Sequence, residues 1–305
     1  MVNVVGYSVV SQAFAAIEQG FQNTPAGAGV TFNNTFGAST TQAEDVVAGK
    51  AADVVDFSQV PDLDLLVNAG LVSSSWQKYA PSKAEHGFVT DSVVALVVRA
   101  GNPLGISGWN SLTRKGVQIV TPDPISSGSA RWNLLAAYNS QLQQGKKPAA
   151  AKTYLNNLVG NVISEPPSGS KALATFLSGT GNVLLAYEAD ALAAKAAGDS
   201  IQVVEPSQNL LIQNPSALTT TGTSNPAAVA FYSYLYSSAG QAIWILEHFR
   251  STLPKFQSTQ KDVFYTPSKL ETVSKLGGWS LVNSKYFAPS TGLVTKIESA
   301  HGYTS

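Results

Sequence analysis

Apolar residues along this chain alternate between two patterns, short unbroken runs and stripes at three- and four-residue steps. Residues 3–6 form the first run and predict a strand. Val10, Phe14, Ile17 and Phe21 follow at steps of four, three and four, the stripe of an amphipathic helix. Ser8 stands where that helix would be capped, and Gly20 with the Pro- and Gly-rich loop at 25–29 ends it. Residues 30–32 predict a second strand, which runs through Phe36 and Gly37 into a helix over Ala43, Val46 and Val47. Residues 52–57 predict a third strand, and 62–69 a helix after Pro61. This β-α-β-α order favours a parallel sheet with helices on its faces.

Residues 92–99 (SVVALVVR) are the longest β-like run, stopped by Gly101-Asn102-Pro103; such a strand suits a crossing from one lobe to another. Trp109 and Leu112 seed a short helix, and 117–120 predicts the next strand. Asp123-Pro124 breaks it, and the hydroxyl-rich turn Ser126-Ser127-Gly128-Ser129 leads into a helix over Ala130, Asn133, Leu134 and Tyr138. A further helix surrounds Tyr154, Leu155 and Leu158. Strand 162–163 then precedes Pro166-Pro167-Ser168-Gly169-Ser170 and a helix through Leu173 and Phe176. Strand 183–186 is followed by Tyr187-Glu188 and an alanine-rich helix to Gly198. Strands at 201–204 and 210–212 surround Pro206, where the return crossing is expected. Helices over 228–235 and 242–249 follow, and the tail from Trp279 shows little periodicity. A chain of 305 residues suits two lobes, here 1–92 with 206–305, and 93–205.

Nineteen basic residues balance nineteen acidic ones, so there is no electrostatic footprint for nucleic acid. Charged residues make up 12% of the chain, about half the usual ~25%. Ser, Thr, Asn and Gln must cover much of the surface, a polarity that does not titrate and suits an exposed, variable or acidic medium. Without cysteine there is no disulfide, thiolate metal site or thiol nucleophile. No apolar run approaches the ~18 residues of a membrane span. The chain opens without a basic–apolar leader, which leaves cytoplasmic residence or an export signal already removed. His86, His248 and His301 lack metal-ligand spacing, and neither a G-x-S-x-G elbow nor a glycine-rich nucleotide loop occurs, so no metal and no cofactor is expected. S-x-x-K occurs at 75–78, 168–171 and 258–261, without the companion motifs that would give it meaning. Asn33-Asn34-Thr35 fits a glycosylation sequon.

One device recurs. Ser8, Ser39, the Ser127-Gly128-Ser129 turn and Ser168-Gly169 each precede a helix. Each alone reads as an ordinary cap; four converging would make a pocket of N–H and O–H donors without a cation. Arg131 and Lys171 lie inside the helices that follow. Such a pocket suits a tetrahedral dianion that carries no proton. Charge-assisted hydrogen bonds contribute about 1.5–3 kcal/mol each, and each helix start about 0.3–1 kcal/mol more. A phosphate still carrying a proton would bury an O–H without an acceptor, at a cost of about 1–3 kcal/mol.

The stretch TPDPISSGSARWNLLAAY at 121–138 resembles the signature of the periplasmic sulfate-binding proteins of ABC importers, a pattern close to TPNPKSSGGARWNYLAAW. The likeness extends over VVGYS, GASTTQAEDVVAGKAADVV, VVRAGNPLGISGWNSL, GTGNVLLAYEADA and LGGW. It implies an α/β, two-lobed periplasmic-binding-protein fold of type II, each lobe a mixed, mainly parallel sheet flanked by helices. It further implies sulfate held in an interlobe cleft, a membrane permease as partner, no enzymatic activity and a monomer. The location would be extracytoplasmic, in the periplasm or at the cell surface, with a lipid anchor as one form.

The same resemblance implies the donors. Ser8 falls at a backbone N–H donor position where the family usually has Asp. Ser39 matches a hydroxyl donor. Ser127 matches the signature hydroxyl, and Gly128 and Ser129 match its two backbone donors. Gly169 aligns with a backbone donor, and Tyr187 stands where a tryptophan commonly donates its indole N–H. Ser129 replaces a glycine, so its N–H serves only if the backbone there tolerates a Cβ. Tyr187 brings a phenol that can donate or accept. The alternatives are another tetrahedral oxyanion (thiosulfate, molybdate or phosphate) and, more remotely, a serine hydrolase using Ser127 or Ser168.

Overall fold

The computed structural model describes residues 1–78 and 86–303. β1 (Val2–Tyr7) passes through a 3-10 turn at Ser8–Val10 into α1 (Ser11–Gln22). β2 (Phe32–Gly37) leads to α2 (Ser39–Val47), and β3 (Val54–Asp56) to α3 (Val60–Asn68). β4 (Phe88–Ser92) and β5 (Val94–Arg99) are separated by Val93 alone. The chain continues through β6 (Ile119–Val120), α4 (Gly128–Gln143), α5 (Pro148–Val159), β7 (Val162–Ser164) and α6 (Gly169–Leu177). β8 (Val183–Tyr187), α7 (Glu188–Ala196), β9 (Ile201–Val204) and β10 (Gln208–Leu210) come next. β11 (Ile212–Leu218), α8 (Pro226–Leu235), α9 (Ser238–Leu246) and β12 (Arg250–Ser251) then precede β13 (Lys269–Glu271), α10 (Gly278–Val282) and α11 (Leu293–Ala300). Two compact units result: Met1–Ser92 with Gln213–Tyr265, and Val93–Ile212 with Thr266–Ser305.

The first unit holds a six-stranded sheet in the order β12-β4-β11-β3-β1-β2. β1 is parallel to both β2 and β3, whereas β11 runs antiparallel to β3 and β12 to β4. Val5, Val55 and Phe57 pack against Ala43 and Val46 of α2 and Leu63 and Leu66 of α3. The stripe on α1 is buried against α8 and α9: Phe14 meets Phe231 and Trp244, and Phe21 meets Phe231.

The second unit holds the order β7-β6-β8-β5-β9. β6 is parallel to β7 and β8, while β5 is antiparallel to β8 and β9, so this sheet is half parallel rather than mainly so. Ala95, Val97, Val120, Leu184 and Ala186 pack on Phe176 of α6 and Ala191 of α7. α4 is buried along nearly its whole length. Trp132 and Tyr138 project from it onto Trp279 and Tyr286, at ring-centroid distances of 4.8 and 5.2 Å.

Four expectations are corrected. The run at 92–99 is two strands in two sheets, because the chain leaves the first unit after Ser92. The second strand is not 30–32 but Phe32–Gly37; its polar residues are tolerated because it lies at the sheet edge. There Asn33 Nδ2 donates to Asn3 Oδ1 (3.0 Å) and Asn34 Nδ2 to Glu18 Oε1 (2.8 Å), and the sequon falls within this strand. The return occurs at Ile212, six residues beyond Pro206, in a strand that carries Pro215 and accepts Phe57 N–H on the Pro215 carbonyl. Residues 266–305, expected in the first lobe, belong to the second unit. β13 pairs with β10, α10 brings Trp279 onto α4, and α11 packs beside α5. This tail covers α4 in short pieces, which explains its lack of a helical period.

Burial pushes the carboxyls of Glu18, Asp91, Asp190 and Glu298 up to about 7 and Glu165 up to about 9, with Asp56 and Asp64 also raised. The folded chain therefore holds protons that unfolded carboxyls, ordinarily near ~4, have released. The resulting stability is fully present below pH ~4 and is lost as pH rises through 7 toward 9. Thermal melts are expected to show a higher midpoint at pH 5 than at pH 8; a midpoint that falls between pH 8 and pH 5 would contradict this balance of buried acids.

Candidate functional site

In the second unit the neighbouring parallel strands β7, β6 and β8 end along one sheet edge, at Ser164, Val120 and Tyr187. Ligands of open α/β sheets sit outside such carboxyl ends. Hydrogen bonds fasten the turns beyond these strands to one another. Asp123 N–H donates to Pro166 O (2.9 Å) and Ser126 Oγ to Pro167 O (3.0 Å). Asp123 shapes its own loop by accepting Ile125 N–H (2.8 Å) and Ser126 Oγ–H (2.9 Å), while its carbonyl accepts Ser127 N–H (2.9 Å). Asn133, fully buried, donates to Thr121 Oγ1 (3.2 Å) and Leu185 O (3.0 Å), which pins α4 to β6 and β8.

Ser127, Gly128, Ser129, Gly169 and Tyr187 thus stand along the same edge. Ser127 is the N-cap residue of α4 and is buried, yet its side chain accepts no helix N–H. Ser168, by contrast, is spent as a cap: its Oγ accepts Lys171 N–H at 3.4 Å, which accounts for that S-x-x-K match. Gly128 and Ser129 open α4 with negative φ, so Ser129 carries its Cβ without strain. Gly169 opens α6, and Tyr187, buried, precedes α7. The first turns of α4 and α6 contain no acid, whereas that of α7 contains Glu188 and Asp190, which answer its positive end.

In the first unit β3, β1 and β2 form the corresponding parallel trio, ending at Asp56, Tyr7 and Gly37. Ser8 opens the 3-10 turn and is not the cap of α1, which begins at Ser11. Ser39 opens α2. Its hydroxyl gives its proton to Asp62 Oδ2 (2.6 Å) and accepts Ser58 N–H (3.0 Å), tying the turn after β2 to the turn after β3. Thr40 Oγ1 and Gln59 Nε2 both donate to Asp62 Oδ1 at 2.9 Å. Gly6 faces Asp56 across the β1–β3 pair, where a Cβ would come within 3.1 Å of the Asp56 carbonyl and of the Phe36 ring.

The sequence reading missed Asp56 and Asp62. Asp56 is fully buried, neither of its oxygens meets a hydrogen-bond partner among the described residues, and burial drives its carboxyl far above the ordinary range. Its signal was an acid closing an apolar strand, in Ala52-Asp53-Val54-Val55-Asp56-Phe57. Asp62 carried no signal separable from an acid in a helix's first turn. Arg131 Nε donates to Pro124 O (2.9 Å) and its guanidinium lies 5.2 Å over Phe287, so it serves the loop and the tail. Among the described residues, no group of three or more His, Asp or Glu could hold a metal ion.

Two α/β units, each with turns and helix starts at the carboxyl edge of a parallel trio, define a periplasmic-binding-protein fold of type II. Residues 2–250 match the family described as bacterial extracellular solute-binding protein, and the chain belongs to it. It is 33% identical, over 98% of its length, to the sulfate-binding protein of Synechococcus elongatus, 87% of which is covered. To the thiosulfate-binding protein of Escherichia coli it is 29% identical over 96% of its length, covering 90% of that protein. The solved structure of the sulfate-binding protein SubI from Mycobacterium tuberculosis H37Rv matches with a TM-score of 0.88 at 39% identity, over 93% of this chain and 98% of that one. This is a family of binding proteins rather than of enzymes, and among the described residues no helix is long and apolar enough to cross a membrane.

Replacing Asn133 by Ala removes both bonds that seat the start of α4. The variant is expected to lose about 1–3 kcal/mol of stability in urea unfolding, and an unchanged midpoint would show that α4 is seated by its apolar contacts alone.

Proposed function

We propose that the protein captures sulfate outside the cytoplasm and delivers it, as a monomer, to an ABC-type permease. The observation that carries this reading is the start of α4, where a buried serine at the cap position leaves its hydroxyl unspent on the helix. Ser127 would give sulfate that O–H, and Gly128 and Ser129 their N–H groups. Gly169 would add the N–H at the start of α6. Tyr187 would offer its phenol where α7's own acids already occupy the helix end. In the first unit Ser8 would donate its N–H. Ser39, its hydroxyl proton committed to Asp62, would contribute its backbone N–H instead. Sulfate bears no proton at neutral pH and asks for donors only; burial raises the carboxyl of Asp56, beside the strand ends where Ser8 and Ser39 stand, well above the usual carboxylate range.

Thiosulfate is the second reading, supported by the near full-length relative that bears that name and by the phenol at Tyr187, which suits more than one terminal atom. Isothermal titration with sulfate, thiosulfate, molybdate and phosphate at pH 6 and pH 8 separates the readings. Sulfate is expected to bind most tightly, with phosphate weaker at both pH values. Phosphate bound as tightly as sulfate would overturn the donor-only account.

Ser127→Ala is expected to weaken sulfate binding by about 1.5–3 kcal/mol, roughly ten- to a hundredfold. Ser39→Ala should weaken it less, because its backbone N–H survives, and Arg131→Ala least of the three. An inverted order in the same titration would move the site away from the α4 start.

A further inference from the structure

The second unit contains a cavity of about 140 Å³, lined in part by Asp123, Pro124 and Ile125 of the turn after β6 but by none of the proposed sulfate donors. That is well beyond the ~10–15 Å³ that admits a single water. Glu165, from the segment after β7, and Glu298, from α11, line it together, and Ile125, Phe287 and Val294 give it an apolar wall. Glu298 is only 6% exposed. Apart from each other, Glu298 Oε1 and Oε2 and Glu165 Oε1 meet no hydrogen-bond donor among the described residues.

Several polar groups around this pair have partners outside it. Asp123 accepts from Ile125 N and Ser126 Oγ, Tyr303 OH donates to Val162 O (2.7 Å), and Arg131 Nε donates to Pro124 O. Burial raises both glutamates, Glu165 to about 9 with repulsion from Glu298 and Asp123 adding to it, and Glu298 to about 7, where a hydrogen bond to Glu165 works against burial and repulsion from Asp123. Buried acceptors without donors are costly. The group that would satisfy them has several N–H donors on one positive centre and an apolar stem for the wall.

We propose that this cavity is a binding site for a small primary alkylammonium ion, whose three N–H donors bridge Glu165 and Glu298 while its chain lies against Phe287 and Val294. Binding is a proton exchange: the cation enters with its own three N–H bonds intact, and the proton shared by the two carboxyls leaves to solvent. A quaternary ammonium has no N–H to give, a neutral alcohol has no charge, and a small anion would meet the carboxyls.

The test is calorimetric titration of propylammonium chloride into the full chain saturated with sulfate, at pH 8 and constant ionic strength. It is run in two buffers of different ionisation enthalpy. The expected result is saturable one-to-one binding whose heat differs between the buffers by the release of up to one proton. Propan-1-ol and tetramethylammonium should give dilution heat only. Glu298→Gln should weaken propylammonium binding roughly tenfold or more while sulfate affinity stays unchanged. Dilution heat alone with propylammonium, equal binding of propan-1-ol, or a Glu298→Gln protein that binds the amine as wild type would each overturn the proposal. Should that variant fail to fold, the wild-type comparison of propylammonium with propan-1-ol and tetramethylammonium decides the matter.

Discussion

The fold depends on one constraint: parallel strands end together, and the helices that follow them begin with N–H groups that have no partner inside the helix. Backbone N–H groups point outward only where a helix begins, and they stay aimed only if the preceding strand is fixed. Parallel strands meet both needs, since neighbours end on the same side and each must turn into a helix there. Both units supply such a trio, β3-β1-β2 and β7-β6-β8. The first turns of α1, α2, α4 and α6 contain no acid of their own, although the α2 start meets Asp62 of α3 through Ser39 and Thr40. Where acids do occur, in α3 and α7, Asp62 serves to tie turns together and Glu188 and Asp190 sit buried.

The strand–turn–helix units were legible because their two periods differ, and the stripe on α1 and the turn before α4 lie where those periods place them. Other features were hidden for physical reasons. β2 is an edge strand and needs no apolar face, so its Asn and Thr residues read as loop. β11 contains Pro215 and buries Asn214 and Ser216, partners for backbone and side chains rather than apolar filling. The tail docks by single aromatic residues, Trp279 and Tyr286, which no periodicity announces. Within the site, Ser39, Ser127 and Ser168 look alike in sequence. Their hydroxyls do three different things: one is given to Asp62, one takes no part in capping, and one closes a helix start. The commitment of a hydroxyl depends on a residue tens of positions away and is settled only in three dimensions.

The modest charge content has a counterpart inside. Several of the chain's acids are buried with little cationic partnership, and burial raises the pKa of Glu18, Asp91 and Asp190. Glu18 is held by Asn34, Asp62 by Ser39, Thr40 and Gln59, and Asn139 donates to Glu271. Hydroxyls and amides do the work that lysine and arginine do in more highly charged proteins. The same economy governs both the interior and the carboxyl edge of the parallel strands.

The chain passes between the units after Ser92, after Ile212 and after Tyr265. The second unit is therefore completed by residues 266–305, although its sheet is drawn from the middle of the sequence. The first unit has all of its residues once Tyr265 has emerged. Until the segment after Tyr265 arrives, α4 lacks the indole of Trp279 and the phenol of Tyr286, and β10 lacks its partner β13. Synthesis in sequence order thus supplies every residue of the first unit before those that complete the second.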